Sequence, residues 1–238
     1  VLSNPGHFSG IRYLDLTSIP LRDDDVKHIA FMVHLETLHL GETGIGTDAL
    51  CMLSLLKNCL ALLHLQDNSK IDDDAIPTFA VLHKLRFLKI EGTSITMHGI
   101  RKLAKRLDKD QRVMGISLPL ACEDYLADLS THYCIHPDPP LITSAEAVPS
   151  LSVIALKANL SAHHAINDGI LPTGTKAEMV QRLIDILEIR AGDLLLGKVF
   201  GLHDDRASDE DCSQLESAGE DDSDITEVES RDILSASS

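Results

Sequence analysis

The sequence predicts an α/β solenoid. Parallel strands line the inside and helices the outside, and a small helical module and an acidic tail follow. Three observations predict this. Four copies of a hydrophobic motif recur at nearly constant spacing. Each copy leads into a turn and then into apolar residues at helical intervals. Acids gather after residue 203, where large apolar residues become few.

The first copy is Ile11-x-x-Leu14-x-Leu16. It returns as Leu35-x-x-Leu38-x-Leu40, Leu60-x-x-Leu63-x-Leu65 and Leu85-x-x-Leu88-x-Ile90, with starts 24, 25 and 25 residues apart. Alternation in the second half of each motif is that of a short strand with one buried face. An apolar residue near the tenth position follows (Leu21, Ile45, Ile71, Ile95), then a polar stretch such as Asp23-Asp24-Asp25 or Asp72-Asp73-Asp74. Each unit closes on helical spacing: Val26, Ile29, Ala30; Ala49, Leu50, Leu53, Leu56; Ala75, Ile76, Phe79; Ile100, Leu103, Leu107. Asp or Thr ahead of these runs predicts the N-caps. Acids at helix starts complement the dipole and need no catalytic role.

Strands joined through helices must run parallel. Strands pair at about 4.8 Å, whereas packed helices need roughly 8–10 Å, so the strands form the inner side of an arc. Val113-Met-Gly-Ile116-Ser-Leu118 predicts a last strand. Residues 121–133 predict a closing helix with Leu126 and Leu129 inward.

The repeat, over about residues 11–118, resembles leucine-rich repeats of the ribonuclease-inhibitor-like, F-box-associated type. Thr93-Ser-Ile95-Thr-Met-His-Gly99-Ile100 and Thr43-Gly-Ile45-Gly-Thr-Asp-Ala-Leu50 carry the closer likeness. The resemblance implies a concave, partner-binding face. Residues 1–10 hold no clear cap, so further sequence is expected upstream of Val1. The pleat puts two rows on the concave face: Asp15, His39, His64, Lys89, and Tyr13, Thr37, Leu62, Phe87. A polar row beside an exposed apolar row suits a protein partner. His39 and His64 are neighbours without a third ligand, so no metal is assigned to them.

A second pattern begins near residue 151. Val153, Leu156 and Leu160 share one helical face. After a loop over 161–173, which carries His163, His164 and Asp168, Thr175 and Glu178 form a capping box. Ala177, Val180, Leu183, Ile184 and Leu187 then make an apolar stripe. The motif Gly174-Thr-Lys-Ala-Glu-Met-Val-Gln-Arg-Leu183 is similar to the SAP module, a short helix–loop–helix that binds DNA. By that resemblance Thr175, Lys176 and Arg182 contact phosphate, helped by the free amides at the helix N-terminus. Bases and acids balance between residues 150 and 200, so such binding is expected to be weak and salt-sensitive.

The predicted division is therefore 1–135 for the repeat arc and its cap, 136–149 for a Pro-rich linker, 150–202 for the SAP-like module and 203–238 for a disordered tail. His136-Pro-Asp-Pro-Pro140 sets the linker. The net charge is −16, and residues 204–238 hold 13 acids against two arginines. In that tail Ser208 and Thr226 precede acids, as acid-directed kinases prefer. Five cysteines without tight pairing predict buried thiols in a reducing compartment. No stretch is long and apolar enough to span a membrane. No phosphate loop, nucleophile elbow or zinc signature occurs, so no catalytic residue, metal, cofactor or small-molecule substrate is expected. The expected function is that of a non-enzymatic adaptor, intracellular and more nuclear than cytoplasmic, that binds a protein on its concave face and attaches weakly to DNA. The alternative is the substrate-recognition subunit of a ubiquitin ligase whose F-box lies upstream.

Overall fold

The computed structural model describes residues 10–201. The acidic tail, with Ser208, Thr226 and Cys212, lies outside the described residues, and so does the question of a cap before residue 10. The described part is a mixed α/β structure. Its elements are β1 (Tyr13–Asp15), α1 (Asp23–Ile29), β2 (Thr37–His39), α2 (Thr47–Leu53), β3 (Leu62–His64), α3 (Ile76–Val81), β4 (Phe87–Lys89), α4 (Met97–Lys109), β5 (Gly115–Ser117), α5 (Leu120–Ala127), α6 (Leu129–His132), α7 (Val153–His164) and α8 (Lys176–Phe200).

The five strands form one parallel sheet in sequence order. Leu14 pairs with Leu38, Leu38 with Leu63, Leu63 with Leu88, and Leu88 with Ile116. This column faces the helices and enters the main core, where Leu38, Leu63 and Leu88 are fully buried. Leu14, in edge strand β1, is only partly buried. The ladder extends past the short strands through Leu16 N–H to His39 O, Leu40 N–H to His64 O and Leu65 N–H to Lys89 O. Two residues beyond the last core position of each motif the chain turns left-handed, at Ser18, Glu42, Asp67 and Gly92. The turn recurs with the motif because each strand must leave the sheet at the same angle for its helix to pack on the same side.

The caps differ in part from expectation. Thr96 caps α4 and Asp72 caps the 3-10 turn at Asp73–Ala75. The N-caps of α1 and α2, however, are Arg22 and Gly46. Their acids reach sideways instead. Asp23 accepts from Gly46 N–H at 2.9 Å, Thr47 Oγ1 donates to Asp72 at 2.9 Å, and Thr96 donates to Asp73 through its N–H at 2.8 Å and its Oγ1 at 2.6 Å. Helix starts in successive units are thus tied to one another.

Closure of the core also departs from the sequence reading. The helix expected over 121–133 is broken at Asp128 into α5 and α6; Leu126 packs on the main core and Leu129 on a second cluster. The residue bonded to Asp128 O is Thr131, through both its N–H and its Oγ1. Much of the closing surface comes from α8. This helix is 25 residues long, and its Leu196, Val199 and Phe200 complete the main core beside α4. Met114 N–H donates to Val199 O at 3.1 Å.

The second cluster joins α7, the first half of α8, Tyr133 at the end of α6, and residues from the Pro-rich stretch, including Ile142 and Val148. Residues expected to link are packed: Ala145–Ser150 forms a 3-10 helix, and Ile142 N–H donates to Asn159 Oδ1 at 2.9 Å. A second correction concerns the helix faces. Val153 is 41 % exposed and Ala177 is exposed, whereas Met179, Leu183, Ile186, Leu187 and Arg190 are buried. Leu183 and Leu187 of the expected stripe are buried, and residues 188–200, whose Leu194, Leu195, Leu196, Val199 and Phe200 the sequence reads as an extension or a docking segment of this helix, do continue it. A third concerns His163, which belongs to α7 and is buried, its Nδ1 accepting from Cys134 N–H at 3.1 Å.

Candidate functional site

The sheet face opposite the helices holds both rows. Strand register places Tyr13, Thr37, Leu62, Phe87 and Gly115 in one row and Asp15, His39, His64, Lys89 and Ser117 in the other. Their rings touch in sequence. Tyr13 meets His39 edge-on with centroids 5.2 Å apart, His39 stacks on His64 at 4.2 Å, and His64 meets Phe87 edge-on at 5.9 Å. Offset stacking and edge contacts are the favoured aromatic geometries.

This face is less open than the sequence implied. Leu62, His39 and His64 are buried, Thr37 and Phe87 half-buried, and Tyr13 exposed. Leu62 sits on the central strand with a neighbour on each side at strand spacing, so the row covers its own middle. Tyr13 is on the edge strand and has one such neighbour. Phe87 also depends on Gly115: a Cβ at that position would lie 2.7 Å from the Phe87 ring.

Charge is graded along the polar row. Asp15 lies at the β1 end, 3.7 Å from His39 Nδ1, and Lys89 lies at the β4 end, 3.9 Å from Glu91. Burial pulls the Asp15 carboxyl upward, but hydrogen bonds from Thr17 and Tyr13 and the His39 imidazole bring it below its ordinary value. Burial, then the neighbouring His39 and Lys89, push His64 down to about 4 against a weaker opposing pull from Asp15. His64 is therefore neutral at physiological pH, and among the described residues its Nε2 has no hydrogen-bond partner. Among the described residues no group of three or more His, Cys, Asp or Glu could hold a metal ion.

The acids at the helix starts surround a hollow of about 340 Å³ lined by Asp23, Thr47, Asp48, Lys70, Asp72 and Asp74. Asp23, Thr47 and Asp72 are already bonded between units, as described above. The cysteines also need correction. Cys122 is buried, with burial first and Asp73 next raising its thiol to about 11, but Cys51 is exposed.

In the helix pair, Thr175 Oγ1 accepts from Glu178 N–H at 3.3 Å while Glu178 Oε2 accepts from Thr175 N–H at 2.8 Å. The expected capping box is formed. It also sets a carboxylate beside the amides that would bind an anion. Arg182 donates to Leu171 O at 2.6 Å and to Thr173 O at 3.0 Å, fastening the loop. Lys176 is exposed.

Among the buried polar groups absent from the sequence reading, Asn68 and Asp193 carry the most hydrogen bonds between segments. Asn68 is fully buried between units: Nδ2 donates to Leu40 O and Leu65 O, and Oδ1 accepts from Gly44 N–H. Its signal was available, three residues after Leu65, at a place where Thr43 and Thr93 stand in neighbouring units. Asp193 on α8 is clasped by Arg101 Nε at 2.6 Å, Tyr133 OH at 2.8 Å and Tyr125 OH at 3.1 Å. Burial first and then the Asp193 charge raise Tyr125 to about 12, and Tyr133 rises further. No local pattern marks this cluster, since its partners come from four separate segments.

A scan of protein-family models finds none that matches the chain, and a search of curated proteins finds no matching relative. Among the described residues no helix is long and apolar enough to cross a membrane.

Proposed function

We propose that the chain is a non-enzymatic adaptor built as a leucine-rich-repeat solenoid, holding a protein partner on the strand face opposite the helices. One observation carries the reading: four strands bring Tyr13, His39, His64 and Phe87 into a continuous line of rings with Asp15 near one end and Lys89 near the other. Rings held rigidly in register lose little entropy on binding, and opposite end charges orient a partner. The 24- and 25-residue spacing, the parallel register and the recurring left-handed turn support the solenoid reading. DNA attachment through Thr175, Lys176 and Arg182 has less support. Glu178 occupies the helix N-terminus and Arg182 is engaged with two carbonyls.

The test is affinity capture with the full chain, followed by titration of the purified partner. Substituting Thr37→Arg together with Phe87→Ser is expected to weaken that partner by roughly tenfold or more, since central interface residues commonly carry 1–2 kcal/mol each. Equal affinity for the variant and the unaltered chain would reject the assignment of this face.

A further inference from the structure

Helix α4 is the exception to the acidity of this protein. Residues 97–112 contain six Lys or Arg and two Asp, whereas the rest of the chain has 15 bases against 35 acids. Burial divides the helix cleanly. Ile100, Leu103, Ala104 and Leu107 face the core, and Arg101 is spent on Asp193. Lys102, Lys105, Arg106 and Lys109 are exposed, and their spacing of three, four and seven residues places them on one outward stripe. His98 is exposed beside them. Arg106 has Asp110 at 3.4 Å, but Lys102, Lys105 and Lys109 have no ion-pair partner among the described residues. The flanking charges are already paired: on the α8 side Lys198 holds Asp108 at 2.7 Å.

Packing does not require this stripe. Solubility does not require it either, because the net charge of −16 already keeps copies apart. Three unneutralised ammonium groups on a rigid helix concentrate positive potential in one place.

We infer that the outer face of α4 docks an acidic segment of a partner protein, on the side of the sheet opposite the ring line. The dimensions select this occupant. The stripe spans seven residues of helix, about 10 Å, with neighbouring Cβ atoms roughly 5–6 Å apart. An extended peptide presents alternate side chains about 7 Å apart, so a few acids can meet successive lysines within the reach of those flexible side chains. A nucleic-acid duplex is broader than the stripe and would carry its phosphates over Asp108 and Asp110 at the end of the same helix. Free guanidinium forks and exposed aromatic rings, which favour nucleic acid, do not line the stripe.

The experiment measures fluorescence anisotropy of a short labelled peptide of alternating Glu and Ser, titrated with the full chain. A Lys/Ser peptide and a labelled DNA duplex are the comparison probes. The Glu/Ser peptide is expected to bind, and to weaken between about 50 and 200 mM salt as exposed ion pairs do. Lys102→Glu, Lys105→Glu and Lys109→Glu together should reduce its affinity roughly tenfold or more. The same positions changed to Gln give a second variant should charge reversal disturb folding, and circular dichroism verifies that it is folded. Phe87→Ser, on the opposite face, should leave peptide binding unchanged, which separates this proposal from the adaptor reading. Absence of binding by the unaltered chain, equal binding by the Gln variant, or tighter binding of the duplex than of the peptide would overturn the proposal.

Discussion

Asp193 offers the sharpest test of how the repeats and the helix pair are joined. Its side chain is fully buried, and its charge is met by Arg101, Tyr125 and Tyr133. Changing Arg101→Met keeps much of the side-chain volume but leaves the carboxylate with two neutral donors. Breaking one partner of a buried ion pair typically costs 3–5 kcal/mol, because the remaining charge stays desolvated. That is a large share of the 5–15 kcal/mol of a typical domain. Adding Asp193→Leu to Arg101→Met removes the stranded charge. It leaves the Tyr133 and Tyr125 hydroxyls, 2.8 and 3.1 Å from the lost oxygen, without that acceptor, at about 1–3 kcal/mol, most of it from the buried Tyr133. The double variant should therefore be about 2 kcal/mol more stable than Arg101→Met alone. Urea unfolding at neutral pH followed by circular dichroism measures this. A double variant less stable than the single one would mean that the clasp contributes through packing, and the electrostatic argument would be wrong.

Other outcomes follow from the same geometry. With His64 lowered to about 4, the unfolded chain takes up a proton between about 6.5 and 4 while the folded one does not, so acidification through that window lowers stability, by on the order of 3 kcal/mol at most. His64→Phe should flatten this dependence relative to the unaltered chain, and an imidazole that titrates near 6.5 by NMR would contradict it. Asn68→Ala strands the Leu65 carbonyl and the Gly44 amide, while the Leu40 carbonyl keeps the Thr43 hydroxyl, and should cost about 2–4 kcal/mol in urea unfolding; a loss under about 1 kcal/mol would remove its assigned role. Asp67→Gly relieves a left-handed aspartate and should be neutral or stabilising by up to about 1 kcal/mol, whereas Asp67→Val should destabilise. Gly115→Val should displace the Phe87 ring, shown by altered ring-proton shifts, and weaken partner binding with little loss of helix content.

Much of the repeat was legible in the sequence. The spacing of Leu14, Leu38, Leu63 and Leu88 reports a demand that every unit shares, namely one face in a common core, and the pairing follows from it. The Thr175 and Glu178 box was legible for a similar reason, because both partners lie within one turn. Long-range arrangements were not. Arg101 and Asp193 are 92 residues apart, and neither carries a local sign of the other. The packed condition of residues 136–149 was hidden because proline reports what the backbone cannot do, not where Val148 or Ile142 finds cover. In the candidate face the register could be read, but burial could not. Exposure of Leu62 depends on its place in the order of strands, which is a property of the whole sheet.

The repeating left-handed turn has a bearing on how such a chain can change in length. Each unit offers its successor the same ledge of backbone donors and acceptors, set at 24 or 25 residues. Gain or loss of a few residues inside a unit would twist the following helix out of line. Duplication of one whole unit would add a rung and disturb only the seams on either side.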